Sequence, residues 1–291
     1  MKTPERYALL PMALLFGLGT AVMFACSTLM SSRSIRLIGN NSVIGWIMLV
    51  GTVITVPLLF ASGWPDISTK NIAILSLAGV GNIGGLIFSF RALQVGKVGL
   101  VAPIVSTEGA LAAFMSALSG ESLKAAVIFA LVVIVAGVII AAIAPDPAPI
   151  AHENPPKAVL FSTLAALSFA ATLFATGGLS GTIPIAWLSL PPRLAGVMLV
   201  TIPLALSGKL RISKKALPLI LGSGVSEVTG FTCFALGAGY SIAITSVVSS
   251  QFAPIAAILA FILFKERLGK MQIGGIILIV LGVSALIALT R

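Results

Sequence analysis

The sequence predicts an all-α integral membrane protein of ten transmembrane helices, arranged as two inverted five-helix repeats. Apolar residues make up 58% and charged residues only 9% of the 291 positions, far from the balance of a soluble domain. The apolar residues gather in runs of about 20, the length that crosses a hydrocarbon core as a helix. The two halves of the chain also match one another. A β-barrel is excluded, because its strands would be about ten residues long and alternate in polarity, whereas these runs are apolar on every face. Backbone groups in lipid must bond within their own segment, which leaves helices.

The spans are expected near 8–30, 43–62, 72–91, 98–118, 123–144, 157–177, 183–207, 216–237, 242–264 and 271–289. The first follows Lys2 and Arg6; it is too long for a cleaved signal and lacks a clear small-residue cleavage site, so it reads as retained. The third passes through "GVGNIGG", in which Gly79, Gly81 and Gly84 have the spacing of a dinucleotide-binding turn. Such a turn needs a strand before it, a helix after it and an acidic residue about 20 positions on. Here apolar sequence runs straight through the glycines to Arg91.

After the fifth span comes "APDPAPIAHENPPK", the most hydrophilic break in the chain and almost its midpoint. It divides the protein into a first module at 1–145, a Pro-rich linker at 146–156 and a second module at 157–291. The single histidine, His152, lies in this linker, so no histidine-based metal cluster or catalytic dyad can form inside the membrane. Cys26 and Cys233 fall in predicted spans and read as small apolar residues, not as a disulfide framework.

The halves align by simple addition. A shift of 143 carries Gly79 to Gly222, Gly81 to Gly224, Phe88 to Phe231, Gly96 to Gly239 and Ser106 to Ser249; a shift of 145 carries Glu121 to Glu266 and Gly137 to Gly282. Five spans per half is an odd number, so the second half enters the membrane from the opposite side. Inverted repeats suit alternating access, since the halves can exchange roles around a midplane site. The glycines then have a use: Gly79, Gly81, Gly84 and Gly85 on helix three, and Gly222, Gly224 and Gly230 on helix eight, let neighbouring backbones approach closely.

The segment "KERLGKMQIGGIILIVLGV" sets Glu266, Leu268, Gln272, Gly275, Gly282 and Val283 at the spacing that closes a module of the EamA type. The chain resembles the drug/metabolite transporter superfamily in its ten-helix EamA form. The first module repeats the pattern with Glu121, Leu123, Gly137 and Val138, but has Val127 and Ala130 where glutamine and glycine are the rule. The resemblance implies a transporter of small metabolites in a bacterial inner membrane, with a central cavity between the halves. Within that range the chain is most similar to bacterial aromatic amino-acid exporters.

Ionisable groups inside a membrane are costly and usually face an interior. Glu108, Arg193 and Glu227 are the three. Glu108 corresponds to Gln251 in the repeat, so both halves present a polar group at matching depth. Glu227 stands where the first half has Gly84, with Asn82 nearby. Arg193 follows Pro191 and Pro192, which leave carbonyls without donors and bend the helix. Ser249 and Ser250 adjoin Gln251; such hydroxyls also commonly bond their own helix or bridge two helices. Trp187, like Trp46 and Trp64, could stack on an aromatic substrate or sit at the membrane interface; Trp64, beside Pro65 and Asp66, reads as an interface anchor. The expected substrate-binding set is Asn82, Glu108, Arg193, Glu227, Ser249, Ser250, Gln251 and Trp187. The alternative for the charged members is that Arg193 pairs with Glu227 or Glu108 merely to hold helices together.

An intramembrane hydrolase needs a nucleophile beside a base, and only carboxylates could serve here. A channel needs rings of like groups along a pore. No G-x-x-x-x-G-K-[ST] segment occurs, so energy must come from a gradient or a partner. The expectation is therefore a carrier and not an enzyme. A sugar site needs many hydrogen-bonding groups and a phosphate site needs clustered cations. One arginine in an apolar surround suits aromatic or other neutral amino acids, or another amphipathic metabolite or drug. The expected partners are a small-molecule substrate, membrane lipid and a coupling proton, with no cofactor, no metal and no nucleic acid, and with the chain acting as a monomer. The net charge of +10 sits in short loops. Lys2, Arg6, Lys70, Lys124 and Arg291 lie on the side of the termini and twelve other cations on the opposite side, which places the termini outside the cytoplasm.

Overall fold

The computed structural model describes residues 5–65, 67–108, 111, 115, 129, 130, 132–134, 136, 137, 140, 153–177, 179, 182–249, 251–265 and 268–289. They are overwhelmingly helical. The first module contributes α1 (Glu5–Ile38), α2 (Asn40–Ser62), α3 (Thr69–Val95) and α4 (Val98–Val105). The second contributes α5 (Pro155–Gly177), α6 (Ile185–Gly196), a π-helical turn (Val197–Thr201) running into α7 (Ile202–Leu206), then α8 (Leu217–Ser249), α9 (Phe252–Phe264) and α10 (Lys270–Leu289). Six of these segments are long and apolar enough to cross a membrane, α6 to α7 counting as one, and shorter apolar helices accompany them. The expected span at 123–144 falls mostly outside the described residues; those described within it are helical.

Several helices run past the limits drawn from hydropathy. α1 continues through "SSRSIRLI" to Ile38 because its polar end is packed and not solvated: Ser31, Ser32, Ser34 and Ile35 are all buried, and Ser34 Oγ returns a hydrogen bond to Met30 O at 2.9 Å. Gly39 then turns the chain at φ 85° and Gly63 does so after α2 at φ 75°, backbone angles that only glycine adopts freely. Ser68 caps α3 by accepting from Asn71 N, a standard use of serine at an N-cap. Gln272, wholly buried, accepts from Gly269 N at 2.8 Å, which ties the start of α10 and gives a physical role to the glutamine of the module-closing segment.

The expected fourth and ninth spans are broken at corresponding places. α4 ends at Val105, and Ser106 and Thr107 form a turn before helix resumes at Glu108. Pro103 removes one backbone donor just upstream, and the hydroxyls of Ser106 and Thr107 bond Pro103 O and Ile104 O at 2.8 and 2.7 Å. In the second module the break falls between Ser249 and Phe252, with Gln251 in the turn. Under the shift of 143 Glu108, where helix resumes after the first break, corresponds to Gln251 in the second, so the two breaks lie within about a residue of each other. The expected loop near 238–241 is not free of helix, but α8 does reverse there. A Cβ placed on Gly237 would lie 2.7 Å from Thr245 Cγ2, whereas eight residues of straight helix rise about 12 Å.

Contacts at the helix ends fix how the modules run. Asn154 N donates to Val95 O at 2.8 Å, and Lys97 and Glu153 form a buried ion pair at 3.8 Å. Thus α5 begins at the end of the molecule where α3 finishes. Trp187, early in α6, donates to Gly63 O at 2.9 Å, so α6 begins where α2 finishes. Arg33 lies over the Phe264 ring at 4.1 Å, bringing the ends of α1 and α9 together. The second module therefore starts at the face where α1 ends.

Much of the packing between modules is through α3 and α8. α3 lies against α5 and α6, and α8 against α1 and α2. At each crossing glycine leaves no room for a Cβ: it would meet Pro191 O at 2.9 Å from Gly79, Thr172 Oγ1 at 2.9 Å from Gly81, and the Phe169 ring at 2.6 Å from Gly85. From Gly222 it would meet Met30 Sδ at 2.6 Å, from Gly224 Val50 Cγ1 at 2.7 Å, and from Gly230 the Phe24 ring at 2.7 Å. Gly84 is looser, its nearest atom being Ser168 Oγ at 3.8 Å. The "GVGNIGG" segment is thus the middle of a packed helix. Gly79→Ala or Gly85→Ala is expected to lower stability by about 1–3 kcal/mol through overpacking. Gly274→Ala, with nothing within 4 Å, serves as the neutral control, and thermal unfolding in detergent checks both.

Candidate functional site

Between the modules lies a cavity of about 170 Å³. One water needs about 10–15 Å³, so this is room for a small molecule. Its wall draws on both modules: α1, α2, α3, α4 and Glu108 from the first, and α5, α6, α8 and α9 from the second. Five phenylalanines, Phe24, Phe90, Phe169, Phe231 and Phe252, make much of the surface.

Of the residues expected at the site, Asn82, Glu108, Arg193 and Glu227 all line this cavity. Arg193 is 2% exposed. Its Nη1 donates to Ser189 O, one turn back on α6, and the guanidinium carbon stands 5.7 Å from the centre of the Phe231 ring. Gly51 of α2 makes its seat: a Cβ there would lie 2.9 Å from Arg193 Nε. Arg193 forms no ion pair with Glu227 or Glu108; the ion pair found among the described residues, Lys97 with Glu153, is at the membrane face. Arg193 Nε and Nη2, Glu227 Oε2 and Asn82 Oδ1 are buried and have no hydrogen-bond partner. An unmade hydrogen bond to a buried polar group costs about 1–3 kcal/mol, so four such atoms around one cavity are groups that a polar ligand would relieve.

The other expected residues lie elsewhere. Ser249 is buried and Gln251 half-buried; neither lines the cavity, to which Phe252 is the nearest contributor from that break. Gln251 closes the turn, its N bonding Val248 O and its O receiving Ile255 N. Ser250 lies outside the described residues. Trp187 sits at the membrane face, its ring 5.0 Å from that of Trp64. Among the described residues no group of three or more His, Cys, Asp or Glu could hold a metal.

Hydropathy gave no sign of one wall. Ser27, Thr28 and Ser31 of α1 line the cavity, and Ser27 and Ser31 each bond Ser223 of α8, at 2.9 and 2.7 Å. Their signal was the i, i+1, i+4 spacing that puts three hydroxyls on one helical face. Thr172 of α5 also lines the cavity and donates across to Ala78 O of α3 at 3.2 Å.

The chain's likeness to known proteins agrees with a multi-pass membrane architecture. No curated protein matches it. A solved crystal structure of a protein matches with a TM-score of 0.65 and 16% identity, covering 96% of this chain and 98% of that one, a likeness of fold. The model of the EamA-like transporter family matches twice, over residues 11–143 and 156–288. The two matches together span most of the sequence, and the chain belongs to the EamA-like transporter family.

Proposed function

We propose that the protein is a secondary carrier that exports aromatic or other neutral amino acids by alternating access, its ten helices forming two inverted five-helix repeats. The observation that carries the substrate class is the set of unpartnered atoms in the cavity. Arg193 offers two free N–H donors to a carboxylate, a geometry suited to planar bidentate pairing. Asn82 Oδ1 and Glu227 Oε2 offer acceptors to an ammonium group. The phenylalanine walls need only shape from the side chain. Glu108 supports a second role, that of carrying a coupling proton. The opposite entry faces of the two modules support inversion, and inversion supports alternating access. Export, and the bacterial inner membrane, rest on the family resemblance.

A second reading is favoured by the charge balance of the wall. Two carboxylates against one arginine, among aromatic rings, also suit an amphipathic amine drug. Counterflow in proteoliposomes separates the two: phenylalanine or tryptophan should exchange, whereas amines lacking a carboxylate should not.

Arg193→Gln should raise the KM for the amino acid about 10- to 100-fold, the equivalent of about 1.5–3 kcal/mol for a hydrogen bond to a charged group. Arg193→Lys should recover little of it, because lysine lacks the planar fork. Glu108→Gln should abolish accumulation driven by a pH gradient while leaving counterflow intact; unchanged pH-driven accumulation would remove Glu108 from the coupling role. The cations Arg33, Arg36, Lys209, Arg211, Lys214 and Lys215 on one face support a cytoplasmic position for that face. A reporter active only outside the cytoplasm, fused after Arg291, should therefore be active.

A further inference from the structure

The two helices that seat Arg193 are fastened in a reciprocal way. Trp187 stands at the start of α6, and its Nε1 donates to Gly63 O, at the end of α2, at 2.9 Å. Trp46 stands near the start of α2, and its Nε1 donates to Arg211 O, just beyond the end of α7, at 3.0 Å. Each indole thus belongs to the second span of one module and grips the chain where the second span of the other leaves the membrane, one at each face. Each grip is doubled, by the Trp64 ring against Trp187 at 5.0 Å and by Arg211 N donating to Ser42 Oγ at 3.1 Å.

Between the grips the helices touch closely. Thr201 Oγ1 donates to Gly45 O at 2.8 Å. A Cβ on Gly45 would lie 3.3 Å from Leu210 Cδ1, one on Gly51 would press on Arg193, and one on Gly196 would collide with Met48. The α6 span cannot hold its own line here. Pro191 and Pro192 remove backbone donors immediately before Arg193, and the π-helical turn at Val197–Thr201 follows it, a local widening that often marks functional sites.

We infer that α2 and the α6–α7 span form one rigid pair across the modules, clasped at both membrane faces by Trp46 and Trp187, which positions Arg193 and stays closed through the transport cycle. The role given to Arg193 rests on the proposed amino-acid site; the rigidity of the pair does not. Alternation of access then falls to movements of other helices around this strut.

Spin labels at Val53→Cys and Met198→Cys, both exposed positions, in a Cys26→Ala, Cys233→Ala background, report the pair directly. One narrow distance is expected with and without phenylalanine and on lowering the pH; a second resolved distance overturns the inference. Trp46→Phe with Trp187→Phe keeps both rings and removes both donors. This variant should broaden the distance and raise KM about tenfold, with kcat within about twofold, if two bonds of ordinary strength are lost. An unbroadened distance in that variant overturns the clasp. Wild-type protein that neither binds nor moves an amino acid sinks the proposed substrate instead, and the distances still decide the strut.

Discussion

Where α3 crosses α5 and α6, and where α8 crosses α1 and α2, glycine brings helix against helix until no Cβ would fit. Water gives no hydrophobic drive between helices in lipid, so such close packing is the main attraction available. It sets the position of everything at the seam. Asn82 lies between Gly81 and Gly84, and Glu227 between Gly224 and Gly230. The residues that draw the modules together thus also place an amide and a carboxylate at the cavity wall.

The bilayer restricts where such polar groups can sit. Irregular backbone and unpaired polar atoms at membrane depth are tolerated only inside protein or beside a cavity. The break at Ser106 and Thr107 and the break at Gln251 both fall within the bundle, and the hydroxyls at the first bond back onto carbonyls left by the interruption. Arg193 shows the same restriction from the other side. It is buried at a bend, bonded once to Ser189 O, and its Nε and Nη2, without a hydrogen-bond partner, belong to a side chain that lines the cavity with Glu227 and Glu108. Lys97, by contrast, is paired with Glu153.

Much of this was legible in the sequence for physical reasons. Span positions follow from apolar run length, and the repeat from small residues that packing cannot exchange for larger ones. Asn82, Glu108, Arg193 and Glu227 stood out because charge and amide groups are expensive in lipid, and the fold brings those four to one cavity. What hid was weakly polar. Serine bonds its own helix at little cost, so Ser27, Thr28 and Ser31 left no mark on hydropathy. Tryptophan left two readings open, stacking on a substrate or a place at the interface, and the Trp187 N–H is used to hold two helices together. The ends of α1 and α3 ran long because burial by neighbours, which no local window contains, continued the helix beyond its apolar stretch.

The matched positions that differ between modules explain why a cavity formed from two similar halves need not be symmetric in function. Glu108 corresponds to Gln251 and Glu227 to Gly84, so at two matching positions one module supplies a carboxylate and the other an amide or nothing. Arg193 adds a single cation on one side. In the proposed amino-acid site, a ligand with separated positive and negative ends would have one favoured orientation, because reversing it would set its carboxylate beside Glu227 and its ammonium beside Arg193, each a like-charge contact in a medium that screens poorly. Two modules with identical walls would offer both orientations equally and could not distinguish a zwitterion's ends. The wall differs at these positions, while two of the glycines that pack α3 and α8 keep the shared spacing, Gly79 with Gly222 and Gly81 with Gly224. Packing keeps small residues alike in the two halves at these crossings, and the proposed recognition of an asymmetric ligand requires the halves to differ where they face it.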